Sequence, residues 1–536
     1  MKLLNRTLLH LCCVGILLFS SCEKLEFDKI AQGAWNPNFA VPIAHSNFSA
    51  ADILAHTDST DLVVVDANTG AIALVYKSDI FSIGANSILQ LQDMSETAVL
   101  DFSQLNVPAS PTFIGSVTSN NNEDITFNAG TAELHQVDFK SGMISINISA
   151  NISHDITCKI TFPALNFNGS PISETISLTY SGSVPHSGTA TFDLTNVLGD
   201  FTLGSAPFNE ISVNMETTIT GTGEPITGNE DITIDFSITN LDFNNAIGYF
   251  GQNDLGIPGD SVLLKIFENS NNGYFEIVNP KINFYAENSF GFPIRVNFAD
   301  LKTVDVENGN EYPLTGFPSF FDITRPASMG QSSISMLELN TSNTGNLSNI
   351  ISSVPKYFVY QGSVLSNPNG STTPLNFITD QSQLNIRTEV EMPLEGSAYG
   401  FEFKDTLEFE FEEDLTQLES VMFRLNVDNG FPVDLKSQIT FLDENYAPLF
   451  TAFNTPESVV LSASVDNTGK VNERAQKITD INLNEQEIQQ MQNVKYILFN
   501  AVSQTYNGLS GQLVKFYDHY NLDFRLGIQV QGKIEL

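Results

Sequence analysis

From Leu62 onward the chain alternates apolar and polar residues with a period of two, interrupted roughly every ten residues by clusters of Gly, Asn, Asp and Pro. Successive side chains of a strand point to opposite faces, so this rhythm specifies half-buried strands and leaves little room for long helices. Residues 401–412 show it plainly. Phe401, Phe403, Leu407, Phe409 and Phe411 fall on one face, and Glu402, Lys404, Glu408, Glu410 and Glu412 on the other. Residues 62–65 and 72–76 flank the turn Asp66-Ala67-Asn68-Thr69-Gly70 and predict a hairpin. The expected fold class is all-β: multidomain antiparallel β-sandwich or barrel-like units with a few short helices. Those helices are marked by Ser49 with Asp52 three residues on, by Asn484 with Glu487, and by a turn over 347–352 that stops before Pro355.

A weak internal repeat sets the size of the units. Residues 281–298 (KINFYAENSFGFPIRVNF) and 422–441 (MFRLNVDNGFPVDLKSQITF) share a strand, an Asn-containing turn, Gly-Phe-Pro and a second strand, with Asn288 and Asn429 141 positions apart. A fainter copy at 144–162 places Asn151 137 positions before Asn288 and lacks Gly-Phe-Pro. The repeat implies units of about 140 residues, with boundaries near the polar stretches 119–124, 243–254 and 367–383. The expected organisation is a signal at 1–21, a tether at 22–34, an N-terminal β region of one or two units at 35–245, a middle domain at 246–380 and a C-terminal domain at 381–536. The Asn-turn-Pro pattern resembles the β-sandwich of late-embryogenesis-abundant type 2 proteins.

Residues 1–22 carry a basic start (Lys2, Arg6), an apolar run too short to span a bilayer, and Ser20-Ser21-Cys22. This resembles a bacterial lipoprotein signal with its lipobox. The resemblance implies cleavage before Cys22 and acylation of that residue, an anchor that holds when more than one chain is attached. Acidic residues close behind it (Glu23, Glu26, Asp28) resemble the export signal of Bacteroidota surface lipoproteins. The segment Trp35-Asn36-Pro37-Asn38-Phe39 also resembles the opening of uncharacterised envelope lipoproteins of that group. The implied address is the bacterial outer membrane, with exposure at the cell surface as a further option. Three Asp-Ser/Thr-apolar triplets, beginning at Asp58, Asp260 and Asp405, fit the O-glycosylation pattern of the same group.

The formal charge is −38, and removal of residues 1–21 takes away Lys2 and Arg6 to leave −40. Such a surface repels nucleic acid. Of the four cysteines, Cys12 and Cys13 leave with the signal and Cys22 takes the lipid, so Cys158 remains alone and no intramolecular disulfide is expected.

No catalytic constellation stands out. His45, His56, His135, His154, His186 and His519 show no HxH or HExxH spacing. Gly508-Leu509-Ser510-Gly511 is one residue short of a nucleophile elbow, and Gly221-Thr222-Gly223 precedes Glu224-Pro225, which reads as a turn. Calcium is the one small partner with candidates: Asp66 and Asn68 in one loop, Asp305 and Glu307 in another, each resembling half of an oxygen-ligand loop without the later bidentate acid. No other cofactor is expected.

Three functions compete. The first is a non-catalytic, membrane-anchored lipoprotein that binds a glycan or an envelope protein, for which Trp35 is the lone Trp signal. The second is a lipid carrier whose 40 phenylalanines line a hollow tube. The third is a secreted hydrolase, for which the sequence offers no positive sign.

Overall fold

The computed structural model describes residues 38–50, 52, 63–202, 208–265, 273–305, 309–371, 373–409 and 418–532. The fold is mostly β, with several antiparallel sheets and a few short helices, among them Phe102–Leu105, Leu347–Ser352 and Glu485–Gln490. The chain divides into two compact units, one of residues 54–398 with 515–518 and one of the remainder.

The strands resolve into three sandwiches of one topology. The first comprises Met94–Leu100, Ser116–Thr126, Glu133–Asn151, Asp155–Phe167, Ser170–Leu178, His186–Asp193, Glu210–Thr220 and Asp231–Tyr249. In the second, Ile72–Gly84, Asp254–Leu263, Lys281–Asn288 and Ile294–Asp305 are followed by a fifth strand broken into Asn310–Pro313 and Phe320–Ile323. Ser333–Leu339, Tyr357–Ser366 and Gln383–Pro393 then complete it. The third uses Asn38–Ser49, Phe401–Glu408, Leu418–Asn429 and Val433–Leu442. Its fifth strand is broken in the same way (Pro448–Thr451, Glu457–Val460), before Ala475–Leu483, Tyr496–Thr505 and Asn521–Gly532.

Numbered one to eight in chain order, the strands of each sandwich form one sheet in the order 6-3-8-1 and another in the order 5-4-7-2, all antiparallel. The three are nested in sequence. The whole first sandwich lies between strands one and two of the second, and both lie between strands one and two of the third. The connection is physically open because strands one and eight are antiparallel neighbours: Ala73 faces Pro393, and Asn38 faces Gln531. A sandwich therefore starts and finishes at adjacent points and fits into a host loop without displacing host strands.

The linear domain limits expected from the repeat are not followed by the strands. Residues 119–124 lie inside Ser116–Thr126, an edge strand on which Asn120, Asn122 and Asp124 are exposed, and position 245 lies inside Asp231–Tyr249. The first strands of the second and third sandwiches lie far upstream of their partners, within the region expected to be one N-terminal part. The signal at 1–21 and the tether at 22–34 lie outside the described residues.

The alternation does what it predicts. In Asp231–Tyr249 the side chains of Ile232, Ile234, Phe236 and Ile238 are buried while those between them reach outward. In the unit of residues 54–398 one continuous apolar core runs through the first and second sandwiches. Asn376–Thr379 adds a strand to the far end of the first sandwich at Asn245–Gly248, and Lys140 Nζ bridges Asp380 (2.8 Å) and Asp242 (3.6 Å). A Cβ at Gly291 would lie 2.3 Å from the Phe377 ring, so this close approach needs glycine. Short Leu198–Asp200 pairs with both third and fourth strands of the first sandwich and closes that side into a half-barrel.

The repeated asparagines occupy one equivalent position. Asn151, Asn288 and Asn429 each end a third strand, where the chain turns from one sheet to the other. Asn288 accepts from Phe290 N (2.9 Å) and donates to Phe292 O (3.2 Å) and Thr324 O (3.0 Å). Asn429 accepts from Phe431 N (2.8 Å) and donates to the carbonyls of Phe431, Val433 and Leu461, each at 2.9 Å. Thr324 and Leu461 each directly follow the fifth strand, so one buried amide ties the corner to the same neighbouring element in both sandwiches. Asn151 is exposed, and the first sandwich holds its corner otherwise. Ile152 O meets His186 Nε2 at 3.0 Å, and Ser153 O accepts from Thr222 Oγ1 at 2.8 Å.

Replacing Asn288 or Asn429 by Ala leaves buried backbone groups without partners and is expected to cost about 2–3 kcal/mol. Asn151→Ala should stay within about 0.5 kcal/mol. Urea unfolding of the three variants beside the parent checks the contrast.

Candidate functional site

Equivalent sandwiches allow one side to be compared three times. In each, strands five and six are the edges of opposite sheets. The second sandwich ties these edges together through Thr324, whose amide donates to Ser335 Oγ (3.0 Å) and whose hydroxyl lies 2.6 Å from Ser333 Oγ. The third ties them through Lys477 and Glu457 at 2.9 Å. Among the described residues, the first sandwich carries no hydrogen bond or ion pair between Ser170–Leu178 and His186–Asp193. Its edges splay into an open groove of about 570 Å³.

The local sequence explains the shape. Asn168 (φ +50°) and Gly169 (φ +80°) make a tight turn into an unbroken fifth strand with Pro171 near its start. At the distal end, Gly188 lets Leu178 and Ile176 close the gap, since a Cβ there would lie 2.7 Å from Leu178 Cδ2. At the open end the sixth strand stops in a turn in which Asp193 Oδ1 accepts from Thr195 N (2.8 Å) and Thr195 Oγ1 (2.6 Å). Those donors hold the Asp193 carboxyl below its ordinary pKa. The floor is Phe167, 48% exposed, with half-buried Ile172 and Phe192. Phe192 packs edge-on against core Phe162 at 5.8 Å. The rim is Ser173, Glu174 and Asp193, and no Lys or Arg lines the groove. Sequence reasoning missed these residues. Their signal is the fifth strand left unbroken, legible only once the copies are aligned strand by strand.

The residues singled out in the sequence are dispersed. Cys22, His56 and Glu307 lie outside the described residues. Asp66 Oδ1 accepts from Asn68 N (3.0 Å), Thr69 N (2.8 Å) and Thr69 Oγ1 (2.9 Å), and the Thr69 hydroxyl and amide with the Asn68 amide lower its pKa. Related turns, with the threonine two residues on, occur at Asp466 with Thr468 and at Asp200 with Thr202. Turn geometry thus accounts for the Asp66 loop, whose flanks form the expected hairpin. Asp305 ends a strand, its carbonyl accepting from Gly309 N at 2.7 Å. No group of three His, Cys, Asp or Glu able to hold a metal occurs among the described residues.

His45 pairs with Asp523 (3.1 Å), His135 stacks on Phe208 (4.6 Å), and His519 meets Tyr520 edge-on (5.0 Å). Ser510 Oγ donates to Asn507 O at 2.8 Å, at the edge of a 3-10 turn and not an elbow. Cys158 is fully buried, receives the Thr217 hydroxyl at 3.6 Å, and burial pushes its thiol pKa up. In the second sandwich, Phe284, Phe298, Phe321 and Tyr360 close on a gap of about 10 Å³, the space of a single water. Its Phe-rich strands therefore make a filled sandwich there and not the hollow tube that a lipid carrier requires, because sites for small ligands span roughly 300–1,000 Å³.

No protein family matches the chain, and no curated protein does. Among solved structures it is similar to a presumed secreted protein from Parabacteroides distasonis, at 12% identity and a TM-score of 0.26, over 92% of this chain and 100% of that one. It is also similar to the naturally occurring empty particles of cowpea mosaic virus (11% identity, TM-score 0.14, 55% of this chain and 92% of that one). A third likeness is to T=1 particles derived from infectious bursal virus (10% identity, TM-score 0.15, 80% of this chain and 72% of that one). None of these likenesses carries a function to this chain.

The corner of the first sandwich holds a buried imidazole. His154 is fully buried, and its Nδ1 accepts from Thr222 N at 3.2 Å and lies 3.0 Å from Thr222 Oγ1, joining the corner to the loop between strands seven and eight. Burial lowers its pKa below the ordinary 6.5, against the opposing pull of Glu224, Glu230 and Asp155. The folded state holds the neutral ring while the unfolded chain takes up a proton near 6.5. Its contribution to stability is thus complete above that pH and is lost as pH falls through the depressed folded value. The melting temperature should fall between pH 7.5 and 5, and His154→Gln should flatten that dependence.

Proposed function

We propose that the chain is a membrane-anchored, non-catalytic envelope protein that takes its ligand in the groove of the first sandwich. The observation that carries the binding role is the groove beside the Leu198–Asp200 bridge, on the one side of three equivalent sides where the fifth and sixth strands carry no tie, with aromatic floor and polar rim. The anchor follows from the lipoprotein-like signal ending at Cys22, and the acidic residues behind it support display at the outer membrane or cell surface. Among the described residues no helix is long and apolar enough to cross a membrane, and the formal charge of −38 disfavours nucleic acid as a partner. A catalytic reading gains nothing from His45, His135, His154, His186, His519 and Ser510, which are engaged in pairing, packing and turns.

The anchor is tested by growing cells that express the full chain with an alkyne-bearing fatty acid. The parent should incorporate the label and sediment with membranes, whereas Cys22→Ser should do neither. An unlabelled parent that stays in the soluble fraction would remove the anchor from the proposal. Protease treatment of intact cells should digest the labelled parent if it faces outward.

A further inference from the structure

We infer that the groove of the first sandwich recognises a neutral, hydroxyl-rich ligand: one or two sugar rings at the end of a glycan. The inference rests on the groove being the binding site. Its volume of about 570 Å³ falls within the range of small-ligand sites, roughly 300–1,000 Å³.

Charge excludes one class of occupant. Glu174 and Asp193 sit on the rim with no cationic side chain opposite, so a phosphate, sulfate or carboxylate would meet repulsion from the wall and from a chain of charge −38. Backbone geometry disfavours another at this end of the seam. An extended peptide joining either edge needs a run of free amides, but Pro171 removes one at the start of the fifth strand. The Asp193–Thr195 turn diverts the sixth strand at the same level. The fit that remains combines flat apolar contact with several hydrogen bonds. The exposed Phe167 ring and half-buried Phe192 offer surface to the C–H face of a sugar. Glu174 and the Asp193 oxygen Oδ2, which the Thr195 donors leave aside, offer acceptors for its hydroxyls.

The test uses the full chain extracted from membranes in mild detergent and titrated calorimetrically with cellobiose, maltose and lactose, and separately with spermidine. Binding of at least one disaccharide is expected, weakened about tenfold or more by Phe167→Ala and by Glu174→Gln. Tyr446→Ala, at an exposed ring in the other unit, should leave it unchanged. Phe167 is exposed enough that its loss should not shift urea unfolding, which controls for misfolding. Spermidine binding that Glu174→Gln abolishes, with no disaccharide binding, overturns the ligand class and leaves the groove as the site. Disaccharide binding indifferent to both groove variants, or no binding by any probe, overturns the inference and the groove together.

Discussion

The antiparallel pairing of first and eighth strands is the contact on which this architecture depends. It sews the beginning of each sandwich to its end, at Ala73 with Pro393 and at Asn38 with Gln531. Without it, a nested arrangement would drag the host loop apart. With it, a guest sandwich asks of its host only that two neighbouring chain points be connected. Insertion occurs twice between the same two strands, one and two, the loop that in the first sandwich is just residues 101–115. The cost is kinetic. Asn38–Ser49 cannot find its partner until Asn521–Gly532 exists, and such long-range closure slows folding relative to local hairpins.

Corners show how one topology tolerates different chemistry. A chain passing from one sheet to the other leaves backbone groups that neither ladder satisfies. Asn288 and Asn429 meet this with a single side chain that presents an acceptor and two donors, sized for a corner followed by Phe and Pro. The first sandwich lacks Gly-Phe-Pro and uses His186 and Thr222 from other elements. Two partners held at a distance replace one held locally. That solution brings a buried imidazole, His154, whose pKa burial lowers.

Much of this was legible in the sequence, unevenly. Period-two alternation set the strand content, and the Asp66–Gly70 turn, the Leu347–Ser352 helix and the Asn484–Glu487 capping box formed where residue chemistry placed them. The 141-residue spacing of Asn288 and Asn429 identified equivalent corners. Nesting was hidden because a first strand such as Ile72–Gly84 carries no mark of which of several distant strands it will join. Edge strands misled the domain limits: Ser116–Thr126 is polar because it is exposed, and a polar run reads as a linker when only sequence is in view. The groove was hidden for a related reason. No residue in it is unusual, and its meaning lies in the absence, between the fifth and sixth strands themselves, of the tie that the sister sandwiches possess, the sheets being bridged further on by Leu198–Asp200.

That absence is the strongest argument for a binding role. A sandwich gains by joining its free edges, since open edges expose apolar interior and unpaired backbone. The second and third sandwiches do so with different chemistry, hydroxyls around Thr324 in one and an ion pair at Lys477 in the other. Two independent ways of closing one side show that the topology readily permits closure. The first sandwich closes at its distal end, with Gly188 admitting Leu178 and Ile176, and then opens where Phe167, Ile172 and Phe192 lie. Apolar surface left exposed at one end of an otherwise sealed seam is better explained by a ligand that covers it than by packing failure, because the distal end of the same seam packs tightly.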